Sequence, residues 1–227
     1  MNTRLIVRYA IREILSLAGM GVALFWSAGR IDWWPAWAAL AVMAGWIIAT
    51  AIIIFRLNPD LLAERLGPRK GTKSWDTAIV STLGLVQLVR YIVAGLDQRN
   101  GWTGGFPLAV QLTAWAACAL GYALFVWATA SNAFFSRIVR IQPERGHTVV
   151  CDGPYAYVRH PGYAGMLVSM LGAVFLLGSL WALIPWVLLL AVNVVRVVLE
   201  ERTLTGGLAG YPEYVVRTRY RLLPLVW

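Results

Sequence analysis

Charged side chains are scarce in this chain, at 14% of residues against the roughly 25% usual in soluble domains. Acidic groups are scarcer still, 11 against 20 Lys and Arg. With 59% of residues hydrophobic, the composition excludes an ordinary soluble core and points to a membrane protein. The net charge of +9 does not imply nucleic acid, which would need a basic face on a soluble domain. Here the positive groups sit between apolar runs, so no nucleic-acid partner is expected.

Cysteine and histidine are also sparse, with two of each. Cys118 lies in an apolar run and Cys151 in a polar loop, which excludes a disulfide framework. His147 and His160 stand alone, with no Cys-x-x-Cys or His-x-x-x-His pair, so no metal site is expected. Internal repeats, low-complexity tracts and a Gly-rich dinucleotide loop are missing. Aromatic residues with a polar end are plentiful: the 12 Trp and 9 Tyr suit two water–lipid interfaces.

A spanning helix takes roughly 20 mostly apolar residues, because its backbone must satisfy its own hydrogen bonds. Six stretches fit or come close: 14–28, 34–55, 77–94, 108–130, 163–177 and 181–199. The first and fifth are short. Arg4, Arg8 and Arg12 before the first give it the outline of a signal peptide. No clear Ala-x-Ala site follows directly, however, and Arg30 to Trp34 reads as an interface turn, so the stretch is taken as a retained span. The expected fold is all-α: a polytopic helical membrane bundle with a four-helix scaffold over 1–130 and a C-terminal catalytic region over 131–227.

With a cytosolic N-terminus, one side carries Arg4, Arg8, Arg12, Arg56, Arg65, Arg69, Lys70, Lys73, Arg137, Arg140, Arg145, Arg159, Arg202, Arg217, Arg219 and Arg221. The other side carries Arg30 and Arg99, while Arg90 and Arg196 fall inside spans. Sixteen against two is a strong positive-inside bias. It predicts a multi-pass protein of the inner, cytoplasmic membrane with both termini in the cytosol.

The last third holds the polar clusters. Pro161 suits a first helical turn, which places Arg159 and His160 at a helix N-terminus, where free N–H groups favour an anion. A basic loop that merely caps a span fits the same residues. Gly162, Gly165, Ser169 and Gly172 share one helical face and suit close packing in lipid. The short link at 178–180 makes the following helix the expected partner. That hairpin would bring Glu200 and Glu201 to the depth of Arg159 and His160. Asn193, Arg196 and Glu200 share a face, which reads either as a cavity lining or as a self-neutralising Arg196–Glu200 pair. The tail, with Tyr211, Tyr214, Arg217, Arg219, Tyr220 and Arg221, fits either a site wall or a basic interfacial helix.

In the order His147-Thr148-Val149-Val150, Gly153-Pro154-Tyr155, Arg159-His160-Pro161-x-Tyr163-x-Gly165, Glu200-Glu201-x-x-Leu204 and Tyr211-x-x-Tyr214, the chain resembles the isoprenylcysteine carboxyl methyltransferase family, related to the phospholipid methyltransferases. The resemblance covers residues 140 to 227. It implies a methyltransferase that uses S-adenosyl-L-methionine from a pocket open to the cytosol. A lipophilic or small-molecule acceptor (a carboxylate, thiol or amine) would enter from the bilayer. The same resemblance assigns cofactor binding to His147, Val149, Gly153, Tyr155, Tyr157, Arg159, His160, Tyr163, Gly165, Glu200 and Glu201, and acceptor orientation to Arg217 or Arg219. Where the family often has Phe-Gly, this chain has Leu208-Ala209-Gly210, which shifts the register of the tail. The charges suit the reaction: carboxylates for a sulfonium and an ammonium, cations for two carboxylates, and placement for an in-line displacement. A membrane reductase of the sterol-reductase type would need the missing nicotinamide loop. A transporter or other non-enzymatic subunit would need polar residues at the centres of several spans.

Overall fold

The computed structural model describes residues 3–67 and 70–227; Arg69, counted above among the cytosolic cations, lies outside them. Among the described residues the regular structure is all helical. The helices are α1 (Thr3–Ala28), α2 (Trp34–Leu57), the single turn α3 (Leu61–Glu64), α4 (Ser74–Asn100), α5 (Leu108–Ser131), α6 (Pro161–Leu176), α7 (Leu183–Gly207) and α8 (Tyr211–Arg217).

Each of the six expected spans is a helix. Four of them, α2, α4, α5 and α7, are long and apolar enough to cross a membrane. The 16 residues of α6 reach only about 24 Å at 1.5 Å per residue, less than a hydrocarbon core of roughly 30 Å. The 26 residues of α1 are long enough, but its first turns carry Arg4, Arg8, Arg12 and Glu13. Boundaries follow the backbone chemistry of single residues. Pro35 and Pro161 stand in first turns, where a missing N–H costs nothing. Gly101, at φ 68°, ends α4 in the left-handed conformation, and its N–H bonds the Asp97 carbonyl at 2.7 Å.

The small-residue face of α6 packs on α5, not on α7 as the short connection suggested. A Cβ on Gly121 would stand 2.6 Å from the Ser169 nitrogen, and one on Gly172 would stand 2.9 Å from the Ala114 carbonyl. Only glycine permits backbones this close. A different force holds α7. Arg196 does not pair with Glu200; it reaches Asp76 at the start of α4, with Nε–Oδ1 2.7 Å and Nη2–Oδ2 3.2 Å. This ion pair is buried at both ends and ties α7 to α4.

Between α5 and α6 the chain makes a folded strap, residues 132–160, with two short 3-10 turns at Pro143–Arg145 and Gly153–Ala156. Fully buried Gln142 anchors it, donating from Nε2 to the Phe134 carbonyl at 2.9 Å. The tail then folds back onto the start of α6. Arg159 N–H bonds the Tyr220 carbonyl and His160 N–H bonds the Arg221 carbonyl, both at 2.9 Å.

Candidate functional site

Strap, tail, α6 and α7 enclose a cleft of about 90 Å³ that opens to solvent. Of the residues expected from sequence, His147, Val149, Tyr155, Arg159, His160, Tyr163 and Glu200 line it. Six others do not. Gly153 turns the strap at φ 59° against Ser131 and Trp127. Tyr157 is exposed, and Gly165 is spent on the α5 contact. Glu201 lies behind the wall, and Arg217 and Arg219 point to solvent.

Glu200 and Glu201 are adjacent, so their side chains leave α7 about 100° apart. Glu201 collects the cations. Arg159 Nε bonds its Oε1 at 2.5 Å, Arg221 Nε bonds its Oε2 at 2.6 Å, and His160 Nε2 stands 3.3 Å from Oε1. Arg159 also donates from Nη1 to the Thr218 and Arg219 carbonyls at 2.7 Å each. These charge-assisted bonds tie the tail to two helices. Glu200 faces the cleft instead, where Oε2 accepts from the Tyr163 hydroxyl at 2.6 Å. No ion pair engages Glu200 among the described residues.

The far wall is aromatic. His147 stacks on Phe134 with ring centres 4.5 Å apart, and its Nδ1 accepts from the Gln142 N–H at 3.3 Å. Burial, then Arg145 and Arg140, lower its pKa to about 4, so the imidazole is neutral near pH 7. Tyr214 donates its hydroxyl to the Tyr155 carbonyl at 2.7 Å. Burial raises the phenols of Tyr155, Tyr211 and Tyr214, which stay protonated. Tyr211 lines the cleft, and its buried hydroxyl has no partner among the described residues. An unpaired buried donor is costly unless a ligand completes it.

The comparisons bear on this segment. The model of the isoprenylcysteine carboxyl methyltransferase (ICMT) family matches residues 110–206, which contain α5, the strap, α6 and most of α7. The matched residues make up less than half of the chain. A Protein-S-isoprenylcysteine O-methyltransferase of Schizosaccharomyces pombe is 44% identical over 57 residues, 23% of this chain and 24% of that relative. The aligned stretch thus spans about a quarter of the relative's length.

Sequence reasoning passed over several groups that build the site. Phe134 and Gln142 lie in the strap with no motif to mark them. Tyr211 and Arg221 stand in the tail, for which the sequence leaves a site wall and a basic interfacial helix both open. Asp76 had a signal: Arg196 inside a span requires a buried anion, and Asp76 opens the neighbouring helix.

Proposed function

We propose that this chain is an integral membrane methyltransferase that takes its methyl group from S-adenosyl-L-methionine and passes it to a lipophilic or small-molecule acceptor. One observation carries the reading: the cleft is lined by a carboxylate with no ion pair among the described residues, Glu200, and by Tyr211, whose buried hydroxyl has no partner, between aromatic and aliphatic walls. This donor set fits the cofactor. Glu200 suits its positive groups, Tyr211 a polar atom, and Phe134 with His147, Leu204 and Leu208 the flat base. When bound, the cofactor supplies an electrophilic methyl on a sulfonium.

The remaining work falls to the protein, and it is positioning. Tyr163 fixes Glu200 through its hydroxyl, and Arg196, 5.3 Å from the Tyr163 ring, fixes that face in turn. Glu201 holds the tail in place as the roof. The Arg159 Nε and Nη1 donors are occupied by Glu201 and the tail, so Arg159 acts here as a positioning residue. Neutral His147 keeps the strap stacked and adds no positive charge beside a cationic ligand. A carboxylate acceptor would need no base, because ester formation releases no proton. With its N-terminus and tail in the cytosol, as the Lys and Arg distribution favours, the cleft opens to the cytosol and the acceptor comes from the bilayer.

The purified chain, incubated with methyl-labelled cofactor and a lipid extract, is expected to transfer label to an organic-soluble product. Transfer is expected to fall by at least about tenfold in Glu200→Gln, which removes one charge-assisted contact. Full transfer by that variant would remove Glu200 from the reaction, and no transfer by the wild type with any extract would reject the enzyme reading.

A further inference from the structure

Outside the cleft, a basic groove of about 1040 Å³ opens to solvent where α4 begins and α7 ends. Lys70, Lys73 and Trp75 line it from the segment that leads into α4, Ile141 from the strap, and Leu199 and Arg202 from α7. Backbone contacts fix both lysines to the strap. Arg140 Nη1 bonds the Lys70 carbonyl at 3.3 Å, and the Lys73 N–H bonds the Val139 carbonyl at 3.4 Å.

The cations of the groove are not equivalent. Arg140 also lines it, but it is buried and spent: Nε bonds Glu64 at 2.8 Å, and Nη2 bonds Glu144. Lys70, Lys73 and Arg202 are exposed and meet no carboxylate within ion-pair distance among the described residues. Glu144, the acidic side chain of the lining, is already engaged by Arg140. Three free like charges around one concavity repel each other, and an anion between them relieves that repulsion.

The groove continues into an apolar stripe. Leu188, Val195 and Leu199 are separated by two turns and then one turn of α7, so they share a face, and Arg202 extends it by three residues. Leu188 and Val195 are 49% and 53% exposed. Because α7 is apolar enough to span, exposed side chains along this stripe face hydrocarbon, and the stripe ends in a cation at headgroup level. Trp75 stands across the groove at the start of α4, another candidate span, where an indole suits the same level. A soluble anion would use the cations alone; an amphiphile uses the cations and the stripe.

Independently of the methyltransferase reading, we infer that this groove holds the headgroup of an anionic phospholipid from the surrounding leaflet. Lys70, Lys73 and Arg202 take its phosphate, and an acyl chain runs from Leu199 towards Leu188. The lipid is a resident ligand and not a methyl acceptor: Arg140, which lines both spaces, stands between the groove and the cleft with its ion pairs made. Basic pockets beside spanning helices favour anionic over zwitterionic headgroups.

The test uses phosphatidylglycerol and phosphatidylcholine with the same acyl chains, mixed in equal amounts with the full chain in a non-ionic detergent. Native mass spectrometry counts the lipid retained. Wild type is expected to retain phosphatidylglycerol over phosphatidylcholine by at least about tenfold. Lys70→Gln with Lys73→Gln and Arg202→Gln is expected to bring the two lipids near parity. Arg8→Gln with Arg56→Gln and Arg217→Gln removes the same charge from exposed positions outside the groove, and should keep the preference. Arg202→Gln alone covers the case in which the triple groove variant does not fold; it should lower the preference a few-fold. Glycerol 3-phosphate offers the phosphate without a tail, and at the lipid's own concentration it should leave the lipid bound. Parity in wild type, an unchanged preference in the groove variants, or equal loss in the two triple variants would overturn the proposal. Displacement by glycerol 3-phosphate at that concentration would assign the groove to a soluble phosphate and overturn it too.

Discussion

Glu200 and Glu201 are chemically identical neighbours with opposite surroundings, and that contrast defines the site. Glu201 sits between two guanidiniums and an imidazole and acts as the clasp of the tail. Removing one partner of a buried ion cluster typically costs roughly 3–5 kcal/mol. Glu201→Ala is therefore expected to lower the thermal midpoint clearly, and a protease assay should show a loosened tail. Glu200→Gln should melt close to wild type, because Glu200 has no ion pair to lose, yet bind the cofactor poorly. If the two variants behaved alike in melting, their assigned roles would be wrong. His147 adds a pH signature. Its folded pKa is lowered from 6.5 to about 4, so the unfolded chain binds the proton more readily between those values. Stability should be complete above pH 6.5 and decline as pH falls towards 4. His147→Phe should flatten that part of the profile.

At the level of elements, the glycine stripe of α6 and the Asp76–Arg196 pair settle which helices touch. The sequence made the stripe legible as a packing face, but not its partner. Chain connectivity favoured α7, whereas the fit between Gly121 and Gly165 places α5 there; that pairing needs both glycines aligned in space, which spacing along one helix does not encode. The existence of the spans was legible from apolar length and the start of α6 from Pro161, whereas α4 runs on to Asn100 and α7 to Gly207, past the expected limits, because their last turns are polar. Of the site, the Arg159–His160 and Glu201 meeting was legible, because a hairpin must return to the depth it left. The split between Glu200 and Glu201 was not, since it depends on the rotation of α7. Gly165→Val would press into the Phe125 nitrogen and Leu124 Cβ, 3.0 and 3.1 Å from its first added carbon. Overpacking of this kind costs roughly 1–3 kcal/mol or more. Reduced yield and a lower midpoint are expected, although no cleft residue changes. Asp76→Asn leaves Arg196 without its anion, and should both destabilise the chain and loosen the strap, because Asp76 also accepts from the Val139 N–H at 2.7 Å. Normal melting of Asp76→Asn would contradict that link.

For the whole molecule, the candidate site is one polar cleft between the strap, the tail, α6 and α7. Its walls come from the segment that the family model matches and from the tail. A C-terminal reporter is expected to read cytosolic, as the Lys and Arg distribution requires, and a periplasmic signal would overturn that orientation. Arg217 and Arg219, exposed and outside the cleft, should tolerate replacement by alanine with little loss of cofactor binding. The most direct test is calorimetric titration of S-adenosyl-L-methionine into the purified chain, its Glu200→Gln variant and its Tyr211→Phe variant. Saturable binding by wild type, weakened by about tenfold in Glu200→Gln and less in Tyr211→Phe, is the predicted result. Binding of equal strength in all three would contradict the placement of the cofactor in this cleft, and absence of binding in all three would contradict the methyltransferase reading itself.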